Sequence, residues 1–209
     1  MQARAADTRQ KIIAGAAEIF DRLGFERARL GDIVDATEVT KGALYFHFRS
    51  KDELARVVIE EQHRTSIAAV VAVSATNASA LEQIVMLCHE MSRQITEDPI
   101  VRAGIRLTLE LSADVGPEVP YLEWIAACKS LVATAIKDGD VVTTVSPGAL
   151  AQFIISAFTG VQMVSNVLTA RTDLEERIEQ MWQILLAGIV PSRRHKRIPV
   201  ILQARYIPG

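Results

Sequence analysis

Apolar residues along this chain recur at spacings of three and four, the pattern of amphipathic helices, and strand-like alternation is almost absent. The first such stretch predicts a helix from about Thr8 to Leu23, which Gly24 ends with a left-handed residue. A short second helix around Ile33 and Val34, a tight turn over residues 37–39 and a third short helix follow. Three helices are therefore expected in the N-terminal part of the chain.

Helix-start signals continue through the rest of the chain. Ser50 to Glu53 and Ser79 to Glu82 read as capping boxes, and Asp98-Pro99 and Ser146-Pro147 each pair a cap with a proline in the first turn. Two of the predicted helices begin at about residues 80 and 99, and one begins after a cap at 172–175. The others span about 51–73, 121–137, which Gly139 ends, and 147–168. The segment DVGPEVP, residues 114–120, predicts a loop. The fold class is all-α, with about nine helices.

We expect three segments: a helix-turn-helix head over residues 1–50, a larger helical body over 51–191, and a basic tail over 192–209. The tail is expected to be a solvated end of the chain. The last two long helices carry enough apolar surface to form a subunit interface, although the same residues could fill the core. The predicted interface residues are Phe153, Met181, Trp182 and Leu185.

The third helix, from Thr40 to about His47, has the features of a recognition helix. Thr40 caps a helix start, whose free amides favour a phosphate anion. Lys41 and Tyr45 share an outward face, whereas Leu44 and Phe48 can pack on the first helix. Glycine costs about 1 kcal/mol relative to alanine inside a helix, and close approach to DNA would explain Gly42. The alternative is a short core helix with incidental charges. Predicted DNA contacts are Thr40, Lys41, Gly42, Tyr45, His47, Lys51, Arg9 and Arg29.

The net charge of -2 requires any DNA-binding surface to be local, since residues 1–56 hold ten Lys and Arg against nine Asp and Glu. Cys88 and Cys128 are too few for a disulfide framework and are read as small buried hydrophobes. The longest apolar run, Ile67 to Val73, is too short to span a bilayer. We therefore expect a cytoplasmic protein that does not enter a membrane.

No arrangement of residues in the sequence indicates catalysis. The four histidines lack the spacing of metal ligands, and none accompanies a serine or cysteine in a recognisable nucleophile motif. We expect no metal, no cofactor and no enzymatic activity.

The sequence resembles the TetR family through TKGALYFHF at residues 40–48 and SKDEL at 50–54. With RAGIRL at 102–107, EW at 123–124 and TGVQMVS at 159–165, it is similar to the γ-butyrolactone autoregulator receptors of antibiotic-producing actinomycetes. The resemblance implies a homodimer with a four-helix interface, one effector pocket per subunit and two heads on a palindromic operator. It also implies that Trp124 lines the pocket. The other expected effector contacts are Gln62, Met86, Leu107, Phe158, Val161 and Gln162.

Two positions depart from the family pattern. Glu38 stands where the turn usually has glycine, and a larger residue with positive φ costs on the order of 1 kcal/mol, so a reshaped turn is expected. Arg29 stands where a threonine or serine usually caps the second helix, so we expect that cap to be missing.

The function implied is a repressor that a butyrolactone or butenolide releases from its operator, in control of secondary metabolism and antibiotic biosynthesis. Three alternatives stay open: a repressor that senses a different apolar compound or drug, an effector-blind regulator, and an unrelated helical enzyme or adaptor.

Overall fold

The structure is a computed structural model that describes residues 2–111 and 118–207. In these residues it contains ten α-helices and one 3-10 helix, and no strand. The helices are α1 (Gln2–Arg27), α2 (Leu30–Thr37), α3 (Lys41–His47), α4 (Lys51–Ser74), α5 (Ala80–Glu97), α6 (Pro99–Leu111), α7 (Glu118–Lys137), α8 (Pro147–Thr169), α9 (Leu174–Ile189) and α10 (Ile198–Leu202), with the 3-10 helix at Ser192–Arg197. The all-α prediction is confirmed.

Most helix starts lie where the capping signals place them. The hydroxyl of Ser50 accepts from the Glu53 amide at 3.1 Å, and that of Ser146 accepts from the Ala149 amide at 3.1 Å. The Ser79 amide donates to the Glu82 carboxylate at 2.8 Å. These bonds satisfy amides that the helix itself leaves without a partner.

One predicted helix boundary and one predicted cap are corrected. The predicted loop over 114–120 lies outside the described residues as far as residue 117, and α7 already begins at Glu118. Pro120 falls in the first turn of α7, where a missing amide breaks no helical hydrogen bond. At the start of α9, Asp173 caps no amide and accepts instead from the hydroxyls of Ser165 at 2.6 Å and Thr169 at 2.7 Å.

The chain packs into two compact units. The head unit is Met1–Ile67 with Gln94–Val119, and the body unit is Ala68–Arg93 with Pro120–Gly209. The head unit therefore contains α6 as well as the three N-terminal helices. These units describe packing, and the division by role at residues 50 and 191 stays a prediction.

The head unit is built around apolar side chains of α1, α2, α3, α4 and α6. Its fully buried large residues are Ile12, Ile13, Phe20, Ile33, Leu44, Leu54 and Leu107, and Phe48 is 1% exposed. Burial of Leu44 and Phe48 confirms that one face of the third helix packs inward. Each such side chain contributes about 1.5–3 kcal/mol when fully buried, so this core fixes where α3 lies.

Two residues with positive φ shape the head. Gly24 has φ 76° and ψ 172°, a non-helical conformation that interrupts α1 directly after Leu23, as predicted, and a short second helical stretch continues to Arg27. Glu38 ends α2 with φ 55° and ψ 16°, so the expected reshaping of the turn does not occur. The glutamate instead adopts the left-handed conformation that glycine would take without strain.

The body unit places its cysteines and its last tryptophan in the interior. Cys88, Cys128 and Trp182 are 7%, 5% and 0% exposed. Burial raises the pKa of Cys128 to about 12 and also raises the pKa of Cys88, so both remain thiols at neutral pH. The prediction that both are buried hydrophobes is confirmed.

The tail is folded, which corrects the expectation of a solvated end. Asp140, which is 5% exposed, pairs with Arg194 and accepts from Arg197 at 3.1 Å. Ile201 of α10 is 2% exposed. Because a buried carboxylate requires charged partners, these arginines hold the tail against the rest of the body unit.

His89 of α5 is buried in the body unit and lies against charged side chains that are partly exposed. Its side chain is 2% exposed, and Nδ1 lies 2.7 Å from Oε1 of Glu175. Burial lowers the pKa of His89, the nearby Glu175 and Glu179 carboxylates oppose this effect, and Arg205 adds to it. The folded protein therefore favours the neutral imidazole.

Replacing Glu38 by glycine should raise the free energy of unfolding by about 1 kcal/mol, because glycine adopts φ 55° without strain. The greater flexibility of glycine in the unfolded chain offsets part of the gain. Chemical denaturation at one protein concentration measures the change. Glu38→Ala is the matched control, since it removes the same carboxylate but keeps the Cβ, and it should give no gain. Equal stability of the two variants would argue against strain at this turn.

The lowered pKa of His89 predicts a pH effect on stability. The folded state binds fewer protons than the unfolded state, so the free energy of unfolding should fall as the pH decreases below about 6.5, the ordinary histidine value. Denaturation curves between neutral and mildly acidic pH measure the slope, and His89→Gln should reduce it. Glu175→Gln, which removes the carboxylate that favours the imidazolium, should make the slope steeper. A His89→Gln variant with the parent's slope would contradict the assignment.

Candidate nucleic-acid interface and effector site

The outward face of α3 carries a compact set of polar and aromatic side chains. Thr40 accepts from the Ala43 amide at 3.1 Å and so caps the helix as predicted. Lys41 and Tyr45 are exposed, with the Lys41 ammonium 6.0 Å from the centre of the Tyr45 ring. This pair combines a cation with a hydroxyl donor on one surface, as contacts to phosphate require.

Gly42 lies on the same exposed face and has no packing reason to be glycine. A Cβ at this position would meet nothing closer than the Thr40 hydroxyl at 4.0 Å. Gly104 of α6 differs, because a Cβ there would lie 2.3 Å from the Cβ of Gln62. Close packing against Gln62 therefore explains why residue 104 is glycine, whereas no packing contact explains the glycine at position 42.

Phe46 is an exposed residue that helical periodicity alone does not single out. It is 81% exposed, and its ring meets the ring of His47 edge to face with centroids 5.1 Å apart. His47, a predicted DNA contact, is only partly exposed between the rings of Phe46 and Phe48. The signal that could have found Phe46 is an aromatic residue directly beside Tyr45 on a helix whose buried positions are already filled.

The three remaining predicted DNA contacts lie in different settings. The Arg9 guanidinium is 5.4 Å from the centre of the Phe48 ring, which places it beside the end of α3. Arg29 is exposed at the start of α2, and its side chain caps no amide, as expected. Its own amide instead donates to Asp32 at 3.0 Å.

Lys51 is corrected from a DNA contact to a structural residue. Its ammonium donates to the carbonyl oxygens of Phe25 at 2.7 Å, Ala28 at 3.2 Å and Glu26 at 3.4 Å, and it lies 4.2 Å from the centre of the Phe25 ring. Since an ammonium has three protons, none is left for a phosphate. Lys51 therefore ties the start of α4 to the end of α1.

Trp124 of α7 is partly buried in the body unit, with Tyr121 and Thr159 close by. The rings of Trp124 and Tyr121 meet edge to face with centroids 5.0 Å apart. The hydroxyls of Tyr121 and Thr159 share a hydrogen bond at 3.3 Å, which joins α7 to α8. Burial raises the pKa of Tyr121, so its hydroxyl stays neutral. Neither Tyr121 nor Thr159 was singled out from the sequence; the only available hint was that Thr159 begins the TGVQMVS run on which the family resemblance rests.

The other predicted effector contacts fall into both units. Phe158 and Gln162 are 9% and 4% exposed on the inner face of α8, and Val161 and Met86 are partly exposed, all in the body unit. Gln62 belongs to the head unit and is fully buried, and its amide nitrogen donates to Ser66 at 2.7 Å.

Leu107, another predicted effector contact, lies in the core of the head unit. It is 0% exposed and lies in the same buried cluster as Phe20 and Phe25 of α1. Leu107 therefore fills the head core, and a role as an effector contact stays a prediction.

The predicted interface residues lie on α8 and α9. Phe153 is 58% exposed, and Met181 and Leu185 are partly exposed. Trp182 is fully buried within its own unit, which corrects its assignment to the interface. Further exposed apolar residues extend the surface: Met163, Val164, Val167, Leu168 and Ile184.

By length and composition α8 is also the one helix of the described residues that could cross a bilayer, which is weak evidence because packed helices pass the same test. Within residues 2–111 and 118–207, no group of three or more His, Cys, Asp and Glu side chains is placed to hold a metal ion.

Two family models match the chain. Residues 12–58 match "Bacterial regulatory proteins, tetR family", and residues 78–191, more than half of the chain, match "Tetracyclin repressor-like, C-terminal domain". The chain is 34% identical to the A-factor receptor protein of Streptomyces griseus over 188 residues. The aligned region covers 90% of this chain and 66% of that relative. The regulator TtgR of Pseudomonas putida is 39% identical over 61 residues, 29% of each chain.

Solved structures show the same fold. A γ-butyrolactone receptor described as ArpA-like matches with a TM-score of 0.81 and 32% identity over 96% of both chains. The TetR family protein CprB of Streptomyces coelicolor, solved with its biological operator sequence, matches with a TM-score of 0.81 and 34% identity over 95% of this chain and 96% of that one. Together with the two family models, these matches show that the chain belongs to the tetR family of bacterial regulatory proteins.

Proposed function

We propose that this chain is a homodimeric transcriptional repressor of the cytoplasm that binds a palindromic operator and is released by a small γ-butyrolactone-like or butenolide molecule. The observation that carries the proposal is the outward face of α3, where Lys41, Gly42 and Tyr45 are exposed on a helix whose other face is locked into the head core. Likeness to an A-factor receptor and to γ-butyrolactone receptors supports the effector class and a role in secondary metabolism and antibiotic biosynthesis.

Gly42 supports a role of α3 in DNA binding. Glycine in a helix costs about 1 kcal/mol relative to alanine, and the inside of this protein offers no compensation. A partner that approaches the backbone closely would supply the reason, and a DNA groove is such a partner. Thr40 and Lys41, at the helix start, are then the side chains placed to reach base edges.

The exposed apolar face of α8 and α9 supports dimerisation. Phe153, Val164 and Val167 of α8 are 58%, 49% and 81% exposed, and Ile184 of α9 is 78% exposed. A continuous apolar surface of this kind marks an interface. A second copy presents the same surface, so the pairing is symmetric and gives the two heads that a palindrome requires.

Release follows if the effector favours a conformation in which the two heads no longer fit successive major grooves. A coupling free energy of about 2.7 kcal/mol between effector binding and operator binding lowers the operator affinity about a hundredfold. Trp124, with Tyr121 and Thr159, offers an aromatic wall and hydroxyl groups to an effector with an apolar chain and a polar ring.

The test is a fluorescence anisotropy titration with DNA from upstream of the chain's own gene, at several salt concentrations, with and without a panel of acylated butyrolactones and butenolides. The parent should bind with a steep salt dependence, and Lys41→Ala should reduce the salt slope by about 1. At least one compound should weaken binding about a hundredfold. Release only by unrelated apolar drugs would show that the effector is not a butyrolactone or butenolide. Binding without any salt dependence would contradict the DNA-binding proposal.

Trp124→Ala should bind the operator as tightly as the parent but lose most of the response to the compound that releases the parent. Loss of the indole removes a large apolar contact surface from the effector. Leu122→Ala is the matched control, because Leu122 is 61% exposed on the same helix and its replacement should leave the response intact. Equal responses of the parent and Trp124→Ala would remove Trp124 from the effector site.

Gly42→Ala should stabilise the protein by up to about 1 kcal/mol and at the same time weaken operator binding. The added methyl group meets nothing in the protein and would meet the DNA. Chemical denaturation and the same titration measure the two effects. Gly148→Ala, where the new Cβ makes only ordinary contact with Lys129 at 3.8 Å, should leave operator binding unchanged. Undiminished affinity in Gly42→Ala would show that α3 does not approach DNA at this residue.

A further inference from the structure

The turn between α2 and α3 contains a glutamate in a conformation that glycine adopts without strain. Glu38 follows the last residue of α2 with φ 55° and ψ 16°, and its side chain is exposed. A side chain in the left-handed region crowds its own backbone, so a residue with a Cβ stays there only when its surroundings require it.

The residues on either side of Glu38 are held by the head unit. The Thr37 hydroxyl donates to the Ile33 carbonyl at 2.7 Å. The Thr37 methyl packs so closely on Gly15 of α1 that a Cβ on Gly15 would lie 1.9 Å from it. Val39 packs against the apolar core of the head. Because both neighbours are fixed, the Glu38 side chain leaves the backbone at a fixed place on the outside of the protein.

The Glu38 carboxylate is unpaired within residues 2–111 and 118–207, where no hydrogen bond or salt bridge joins it to another group. The next cation along the chain is Lys41, whose ammonium lies 6.0 Å from the centre of the Tyr45 ring. An exposed carboxylate without a cation adds nothing to the stability of the turn. Contacts within the described protein therefore give no reason for a glutamate at this position.

The position of Glu38 brings its carboxylate close to the start of α3, the part of the helix that meets base edges in the proposed function. Glu38 comes two residues before Thr40, so their Cα atoms are at most about 7 Å apart. That distance is roughly two steps between neighbouring base pairs, which are about 3.4 Å each. The Glu38 side chain is therefore placed to reach the same stretch of groove as Thr40 and Lys41.

DNA offers few favourable contacts to a carboxylate. Phosphates repel it, and the donors in the major groove are the amino groups of cytosine and adenine. Adenine presents the acceptor N7 beside its amino group, and an ionised carboxylate has no proton to donate to N7. Cytosine presents its N4 amino group without such an acceptor, so cytosine is the base that fits Glu38.

We propose that Glu38 is a specificity-determining residue that accepts a hydrogen bond from the N4 amino group of one cytosine in each operator half-site. The inference rests on the proposed function. Lys41 fits the acceptor edge of guanine and Glu38 fits the donor edge of cytosine, so the two side chains read base edges of opposite polarity. Any other base opposite Glu38 leaves its carboxylate unpaired against the DNA and weakens binding.

The test is a selection from a pool of random duplexes by the parent, Glu38→Ala and Glu38→Gln, with sequencing of the bound DNA. The parent should enrich a palindrome with cytosine at one position of each half-site. Glu38→Ala should lose the preference at that position and keep the others. Glu38→Gln should prefer adenine there, because an amide accepts from the adenine amino group and donates to N7.

Anisotropy titrations on the enriched operator measure the size of the effect. Replacing the cytosine by thymine in one half-site should weaken binding by the parent about tenfold and leave binding by Glu38→Ala unchanged. Glu38→Gly also removes the carboxylate but relaxes the backbone of the turn. It should match Glu38→Ala in base preference, which separates reading of the base from the shape of the turn.

Asp35→Asn is the matched control. Asp35 is exposed on α2, and its replacement removes one negative charge near the turn, as Glu38→Gln does. This variant should keep the preference for cytosine.

Two results would overturn the assignment of Glu38 and leave the DNA-binding proposal standing. One is that Glu38→Ala binds every sequence more tightly by the same factor, which would mean simple repulsion of phosphates. The other is that the parent enriches a palindrome whose base preferences are unchanged in Glu38→Ala. A parent that enriches no sequence would end both proposals.

Discussion

A single apolar core in the head unit fixes where α3 lies, and with it the outer face that we propose binds DNA. Helix α3 spans only Lys41–His47, and a helix this short is not stable in water without packing. Leu44 and Phe48 supply that packing by burying themselves against α1. Leu107 of α6 fills the same core, so α3 and α6 share one buried cluster with α1.

Local signals predicted most helix starts because capping bonds join residues that are close in sequence. Ser50, Ser79 and Ser146 each meet a partner three residues away, which a reader of the sequence can identify. The two faces of α3 were also predictable from local sequence, because residues three or four apart lie on the same side of a helix. Glu38 shows the limit of such rules, since the rest of the head holds this residue with positive φ although its local preference opposes it.

Long-range contacts decided the roles that the sequence did not reveal. Lys51 donates to the carbonyl oxygens of Phe25 and Ala28, which lie 26 and 23 residues before it in the sequence, and no local pattern indicates such a contact. Trp182 and Leu107 are apolar residues on amphipathic helices, and periodicity cannot distinguish a core position from an interface or a pocket.

The body illustrates how one helix can serve two surfaces. The inner face of α8 carries Phe158 and Gln162, which are nearly buried, while Phe153 and Val167 on the outer face are exposed. The sequence of α8 contains no charged residue, so its composition alone fits a core helix, an interface or a membrane span. The burial pattern favours the interface, because only one of its two apolar faces is covered within the chain.

Charge is arranged so that an acidic protein can still present a basic surface. The tail contains Arg194, Arg197 and Arg205, but Asp140, Glu82 and Glu175 pair with them inside the body unit. These cations therefore pair within the body unit and hold the tail in place. Lys41, by contrast, is exposed on α3 and its nearest described partner is the ring of Tyr45, which does not neutralise its charge. The net charge of -2 consequently says little about DNA binding, because the cations that matter are those left outside salt bridges.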